Sequence, residues 1–479
     1  MPYSKVCFSM FALLSSFLYS HCVAAEKPNF VFIIADDCTF RDIGCYGGQA
    51  YTPNIDQLAT EGIRLTRCFQ AAPMCSPTRH NIYTGIYPVK SGAYPNHTFI
   101  KKNVKTVVQD LKPLGYRVAL SGKQHINPSD KFQFEYSRID NNPDMTVIEQ
   151  LFDECNSSET PFCLFACSNE PHEPYTKGDT SRYPPENVKL PPYLLDTPAT
   201  REHFSKYLAE ITYYDQQVGQ ILDLLNKYQL SDNTMVMVVS EQGNAFPFAK
   251  WTLYDSGLQS IMVVRWPGNI KPNTKSDAMV EYIDILPTFL DAAGGNIRKV
   301  LEGKSMLPVL TGKTDHHKDF VYGIQTSRGI NAGPKYYGRR SVRSENYKLI
   351  HNLTPEAEFT NVIVKDKYFQ EWQQAAEAGN EKAKALVERY HSPPEFELFN
   401  IVQDPLELNN LADDPEHQQV LEDLKTELAA WMKQQGDQGQ ETEMAALKRM
   451  TKTSQLYKRL YPKNQGQKKK KRKQQDSSS

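Results

Sequence analysis

The chain has 479 residues, which is long enough to bury a sizeable core and to form more than one domain. Its 55 basic and 56 acidic residues give a formal net charge of −1, but six of the positive charges follow one another at 468–473. Without those six, the net charge of the rest falls from −1 to −7. This mildly acidic balance argues against a nucleic-acid-binding protein, and no nucleic-acid partner is expected.

The first 25 residues have the pattern of an export signal. Lys5 provides a positive start, an apolar run covers 8–19, and Val-Ala-Ala at 23–25 supplies the small residues of a cleavage site. A short membrane anchor is the alternative, but the apolar run is too short to span a bilayer. We therefore expect an exported chain that begins near Glu26, periplasmic or secreted, or lysosomal in a eukaryotic host. No later segment predicts a membrane span.

Seven cysteines remain after such cleavage, namely Cys38, Cys45, Cys68, Cys75, Cys155, Cys163 and Cys167. Export permits disulfides, but an odd number leaves at least one sulfur unpaired or chemically altered. The spacings fit no zinc site, because the chain has no CxxC pair with a histidine nearby.

Short apolar runs rich in branched residues predict five buried strands. They cover 29–35, 117–121, 161–167, 234–240 and 260–265. Helical patterns lie between them, the clearest at 203–228, where apolar residues recur along one stripe. Near-continuous apolar strands that alternate with helices are typical of an α/β fold with a mostly parallel sheet between helices.

The pattern of the chain changes near residue 315. A polar and apolar alternation appears at 340–353 and again at 396–402, and a helix with core spacing follows at 416–434. We expect a first domain over 26–315 and a smaller C-terminal α+β domain over 316–460. The polar and basic residues 461–479 predict a disordered tail.

Reactive side chains directly follow four of the predicted strands. Strand by strand, they are Asp36 and Asp37, Lys123 and His125, Glu170 and His172, and Glu241 and Gln242. Polar residues often follow strands by chance, which is the alternative interpretation. However, the carboxyl ends of parallel strands meet along one edge of a sheet, where the sites of α/β proteins form. We therefore expect one shared site.

Four of these residues offer oxygen donors, namely Asp36, Asp37, Glu241 and Gln242. A set of carboxylates and an amide suits a hard cation such as Ca²⁺ or Mg²⁺ and not zinc. The alternative is that the adjacent aspartates cap the next helix.

The most specific local pattern is CSPTR at 75–79, followed by TG at 84–85. With these residues the chain resembles the type I sulfatases of the alkaline phosphatase superfamily, whose C-x-P-x-R…T-G signature it matches in full. Further segments resemble elements of that family in the same order: FVFIIADD, SGKQH, NEPHEPY, and EQG followed by Lys250. The resemblance covers roughly 28–435. Within the family, GKQHINP and RSVRSENYKLIHNL look most like heparan N-sulfatase (sulfamidase) and bacterial polysaccharide sulfatases.

The resemblance implies an alkaline-phosphatase-like fold and removal of sulfate from a sulfated polysaccharide or oligosaccharide. It implies that a formylglycine-generating enzyme or maturase oxidises Cys75 to formylglycine (3-oxoalanine), whose hydrate attacks sulfur. It also implies that Ca²⁺, or alternatively Mg²⁺, is held by the set Asp36, Asp37, Cys75, Glu241 and Gln242.

Catalytic roles also follow from the resemblance, for Cys75, Arg79, Lys123, His125, His172 and Lys250. The two lysines would neutralise the sulfate oxygens, and Arg79 would hold the hydrate. His125 would take the proton whose loss releases sulfate, and His172 would protonate the leaving group. His97 is a candidate substrate contact.

Two positions depart from the family pattern. The family usually has Asp at position 241 and Asn or His at 242, so both side chains are one methylene longer here. Two other functions stay open: a phosphatase or phosphonate hydrolase on the same fold, and a catalytically silent protein that binds sulfated glycans. Whether the cleaved bond is O–S or N–S also stays open.

Overall fold

A computed structural model describes residues 27–136 and 140–462. The predicted export signal at 1–25 lies outside the described residues, as does the predicted tail except for Tyr461 and Pro462. Within the described ranges, no helix combines the length and the apolar character that crossing a membrane requires.

The described residues form eleven strands and fourteen α-helices. The strands are β1 (Asn29–Ile34), β2 (Ile63–Phe69), β3 (Arg117–Gly122), β4 (Phe162–Cys167), β5 (Thr234–Val239), β6 (Gln259–Arg265), β7 (Thr274–Glu281), β8 (Val321–Thr326), β9 (Gly338–Arg343), β10 (Tyr347–Asn352) and β11 (Phe396–Asn400). The helices are α1 (Pro53–Glu61), α2 (Cys75–Thr84), α3 (Pro88–Ser91), α4 (Val107–Leu111), α5 (Met145–Ser157), α6 (Pro198–Lys227), α7 (Asp255–Leu258), α8 (Ile285–Ala292), α9 (Leu307–Leu310), α10 (Lys367–Glu377), α11 (Glu381–His391), α12 (Gln418–Gln435), α13 (Gln440–Ala445) and α14 (Gln455–Leu460).

Seven strands form one large sheet in the order β3-β4-β1-β5-β6-β2-β7. All neighbours pair in parallel except β6, which runs antiparallel to both β5 and β2. The connection from β5 to β6, residues 240–258, contains the four-residue helix α7 and no long crossover helix of the kind that usually joins parallel strands. The predicted α/β class with a mostly parallel sheet is confirmed, whereas the strand predicted at 260–265 runs against its neighbours.

The central strand β1 shows why the apolar runs are nearly continuous. All six of its residues are buried, and its side chains alternate between two hydrophobic clusters on the two faces of the sheet. Val31 and Ile33 belong to one cluster, and Phe30 and Phe32 to the other. Both faces of the strand therefore require apolar side chains.

Three strands, β2, β7 and β8, and the start of the longest helix were not predicted from the sequence. β2 and β7 each carry partly exposed polar residues, which interrupt the apolar run that marks a buried strand. Helix α6 begins at Pro198, five residues before the predicted start. Thr197 caps it by accepting a hydrogen bond from the Thr200 backbone N–H, and Pro198 occupies the first turn, where its missing N–H is not needed.

The second sheet is antiparallel, with the order β11-β10-β9-β8. Helix α12 packs on this sheet through Leu424, Leu428 and Trp431. The smaller C-terminal α+β part is thus present as the sequence predicted, while the boundary between 315 and 316 stays a prediction.

A buried ion cluster ties the end of the chain to this second sheet. Arg340 on β9 is fully buried, pairs with Asp437, and donates to Glu443 over 2.9 Å and to the Gln325 carbonyl over 3.2 Å. The guanidinium therefore neutralises two carboxylates that contact no water. It fixes the start of the segment that follows α12.

Arg340→Met should destabilise the protein, because it leaves two buried carboxylates without their cation. The expected loss is about 3–5 kcal/mol in the free energy of unfolding, measured by urea denaturation. Arg459→Met, at an exposed position, is the control and should change it little. Equal stability of the two variants would contradict the importance of the cluster.

Candidate active site

The adjacent strands β3, β4, β1 and β5 end along one edge of the large sheet. A cavity of about 740 Å³ opens there. Six of the predicted site residues line it, namely Cys75, His97, Lys123, His125, His172 and Lys250. The other five are fully buried and contact this group, namely Asp36, Asp37, Arg79, Glu241 and Gln242. The structure therefore brings all eleven residues into one place.

Cys75 is the first residue of α2, a helix that is buried along its whole length. The partial positive charge of a helix N-terminus favours an anionic group at this position. Gln242 Nε2 lies 2.9 Å from Cys75 Sγ. Burial, with the Glu241 charge second, raises the pKa of the Cys75 thiol to about 12. The thiol therefore stays protonated at neutral pH and is a poor nucleophile as long as it is unmodified.

Three acidic or sulfur ligands converge below the cavity. Asp36, Cys75 and Glu241 each offer one ligand atom, and these atoms all lie within 4.8 Å of one another. Several buried oxygens accept no hydrogen bond from the described residues: Asp36 Oδ1, both oxygens of Glu241, and Gln242 Oε1. Buried oxygens that accept no hydrogen bond are costly unless a cation compensates them. The carboxylate and amide oxygens here fit a hard divalent cation.

Each buried carboxylate also has its own cationic side chain. Lys123 pairs with Asp36, Lys250 with Asp37, and Arg79 with Glu241. Burial favours the neutral form of Asp37, but the charges of Lys250 and His172 and the hydrogen bonds from Lys250 and Gln242 together outweigh it, so the pKa of Asp37 is lowered. For Glu241 burial prevails and raises the pKa, and burial also lowers the pKa of Lys123 to about 8. The site thus combines a buried negative cluster with positive charge at the cavity.

The histidines lie at the cavity wall in two different settings. His172 Nδ1 lies 2.6 Å from the backbone carbonyl of Glu173, so this nitrogen carries hydrogen and Nε2 turns towards Asp37 Oδ2, 3.6 Å away. His125 Nε2 lies 2.8 Å from His97 Nδ1. Burial and Lys123 hold the pKa of His125 well below its ordinary value. The His125 ring is therefore neutral at neutral pH.

Five residues of this site have a left-handed backbone. Asp37, His97, His125, Gln242 and Trp251 have φ of 62°, 55°, 46°, 40° and 66°. Such angles are unfavourable for residues with a Cβ, and they persist only where the surrounding structure holds them. The site is therefore held in a fixed arrangement by its surroundings.

Eight further residues line the cavity and were not predicted: Asn96, Gly122, Gln124, Asp140, Asn141, Trp251, Gly329 and Asn331. Four of them are chain neighbours of predicted residues, which is the signal that could have identified them: Asn96, Gly122, Gln124 and Trp251. Asn331 comes from the loop after β8, in the second sheet's part of the chain, so no local pattern links it to the site.

Comparisons with known proteins agree with this geometry. The sulfatase family model matches residues 28–295, and the model of the N-sulphoglucosamine sulphohydrolase C-terminal region matches 243–373. An ulvan-active sulfatase from Formosa agariphila is 32% identical over 439 residues, which cover 88% of this chain and 83% of the relative. The human N-sulphoglucosamine sulphohydrolase is 27% identical, over 85% of this chain and 90% of its own.

A solved structure shares the fold. It holds a protein in complex with its substrate D-glucosamine-2-N,6-O-disulfate, and it matches this chain with a TM-score of 0.68 at 20% identity. The match covers 87% of this chain and 100% of the other. The family model spans more than half of the chain, and the predicted resemblance is confirmed: this chain belongs to the sulfatase family and is a sulfuric ester hydrolase.

Proposed function

We propose that this chain is exported and hydrolyses sulfate groups of a sulfated carbohydrate, with formylglycine at position 75 and a divalent cation, Ca²⁺ or alternatively Mg²⁺. The observation that carries the proposal is the position of Cys75. Its sulfur lies at the N-terminus of a buried helix, within 4.8 Å of ligand oxygens of Asp36 and Glu241, and it opens into a cavity that two lysines line.

The residues that would hold the cation are Asp36, Asp37, Glu241 and Gln242, with the side chain of residue 75. When bound, the cation would neutralise charge on the sulfate oxygens, and formylglycine would supply a hydroxyl nucleophile. The longer side chains of Glu241 and Gln242 still bring oxygens to this place: all of them are buried, and several accept no hydrogen bond from the described residues.

The side chains at the cavity have separate tasks in this proposal. Lys123 and Lys250 offset the negative charge of the bound sulfate, which would otherwise repel an attacking oxygen. Arg79 neutralises Glu241 and stays charged at all relevant pH: burial alone would lower its pKa, but nearby groups, Glu241 first among them, together raise it. His172, about one third exposed, can protonate the departing oxygen or nitrogen at the open side. His125 accepts a proton inside the site.

A carbohydrate substrate fits the rest of the cavity. Its wall presents the amides Asn96, Gln124, Asn141 and Asn331 and the ring of Trp251. Amides are suited to sugar hydroxyls, and an aromatic ring is suited to the apolar face of a sugar. The relatives named for ulvan and for N-sulphoglucosamine support the same class of substrate.

The modification of Cys75 can be read directly by mass spectrometry of the tryptic peptide 68–79. In protein from a host with a sulfatase-maturing enzyme, we expect the sulfur of Cys75 to be replaced by a carbonyl oxygen. Cys68 lies in the same peptide and should stay a thiol that iodoacetamide alkylates, which makes it an internal control. Full alkylation of both cysteines in an active enzyme would exclude formylglycine.

Glu241→Ala should weaken calcium binding by at least about 100-fold, because even indirect partners of a metal ligand contribute 10–100-fold. Calorimetric titration with Ca²⁺ measures this, and turnover of an aryl sulfate should fall below detection. Glu61→Ala is the matched control. Glu61 pairs with Arg265 at the far end of the antiparallel β6, on the opposite edge of the sheet. Normal calcium binding by Glu241→Ala would remove Glu241 from the ligand set.

Export makes a separate prediction. When the full chain is expressed in a host that recognises the signal, the protein recovered outside the cytoplasm should begin at or near Glu26. N-terminal sequencing checks this. If the protein is instead bound to the membrane and still carries residues 1–25, the segment is a membrane anchor.

A further inference from the structure

The loop 92–100 carries His97 into the cavity and is covered by the last described segment of the chain, residues 446–461. This segment, called here the C-terminal strap, lies beyond both matched family models, which end at residues 295 and 373. It pairs with the loop through a bridge between Thr98 and Met450. Tyr457 of α14 packs on Phe99, with ring centroids 4.9 Å apart.

The strap holds His97 itself through its backbone. The Thr451 N–H donates to the His97 carbonyl over 3.0 Å, and Thr451 Oγ1 donates to the same carbonyl over 3.2 Å. Next to it, Thr98 Oγ1 donates to the Arg449 carbonyl over 3.0 Å. His97 has a left-handed φ of 55°, which a residue with a Cβ keeps only where contacts over-determine it. The strap provides such contacts.

Arg449 is the central side chain of the strap. Its Nε donates to the Gly92 carbonyl over 2.7 Å and its Nη2 to the Phe99 carbonyl over 2.6 Å, so one guanidinium joins the two ends of the loop. The group also lies 4.1 Å above the centre of the Phe99 ring. Gly92 leaves the space for it, because a Cβ there would lie 2.3 Å from Arg449 Nη2.

The charge of Arg449 is not used for an ion pair. Arg449 forms no salt bridge with the described residues, and burial lowers its pKa to about 10, so it is still charged at neutral pH. A mostly buried cation without a carboxylate is costly, and the carbonyls of the loop are its main compensation. The guanidinium therefore holds the two ends of the loop through their carbonyls.

We propose that Arg449 is a positioning residue for sulfate hydrolysis: it clamps loop 92–100 so that His97 Nδ1 stays within hydrogen-bond distance of His125 Nε2, at 2.8 Å. The inference rests on the proposed function, because it requires that the His97–His125 pair acts in the cavity. Arg449 itself does not line the cavity and has no contact with substrate in this proposal.

A double-mutant cycle tests the proposal on the full-length enzyme, with an aryl sulfate as substrate. Arg449→Gln should lower kcat/KM about tenfold or more, since a displacement of 1 Å in a site can cost 100-fold. In the His97→Ala background the same change should cost less than about twofold, because the group it positions is gone. Arg449→Lys should be more active than Arg449→Gln but less active than the native enzyme. An ammonium can donate to one of the two carbonyls but lacks the planar guanidinium that donates to both.

The control is Arg459→Gln, an exposed arginine on α14, which should keep native kcat/KM. Thermal unfolding of each variant shows whether it is folded, so that a loss of activity from misplacement of the loop can be told apart from unfolding. If Arg449→Gln does not fold, Arg449→Lys takes its place in the test. Equal losses in both backgrounds, or no loss from Arg449→Gln or Arg449→Lys, would overturn the inference. If His97→Ala alone keeps native kcat/KM, the proposed role of the histidine pair fails, and the inference fails with it.

Discussion

The burial of three carboxylates in one place is the constraint on which the site depends. Asp36, Asp37 and Glu241 are fully buried, and an uncompensated buried ion costs several kcal/mol. The chain meets this cost with one cationic side chain per carboxylate, drawn from different parts of the sequence. Because the partners converge from α2, from the end of β3 and from the loop after β5, the site can exist only when the large sheet is complete. Its charges are therefore fixed before a substrate arrives, which is what stabilisation of an anionic transition state requires.

Most strands of the large sheet and the residues of the site could be predicted from the sequence, for identifiable reasons. Strands such as β1 are buried on both faces and so appear as unbroken apolar runs, and the reactive residues follow the strand ends directly. β2 and β7 were missed because partly exposed polar residues break their runs, and the reversal of β6 was missed because nothing in its buried apolar run distinguishes parallel from antiparallel pairing. The cavity wall was least predictable. Asn331 and Asp140 come from irregular loops that only tertiary packing brings to the site.

The two departures from the family pattern are explained by local geometry. Gln242 has a left-handed φ of 40°, and its amide reaches both Asp37 Oδ1, at 2.6 Å, and Cys75 Sγ, at 2.9 Å. The Gln242 side chain therefore ends inside the acidic cluster despite its extra methylene. Glu241 lies beside Arg79.

The cavity has a floor and a wall that come from separate parts of the chain. The charged groups of the floor follow strands of the large sheet, whereas the wall comes from loops around 96, 140 and 330. The wall loops contribute none of the buried carboxylates or their cations. Divergence in the loops around 140 and 330, which contribute no charged pair of the floor, can therefore change which sugar enters while the sulfate-binding groups stay in place. The loop around 96 differs from them, because it also holds His97 against His125.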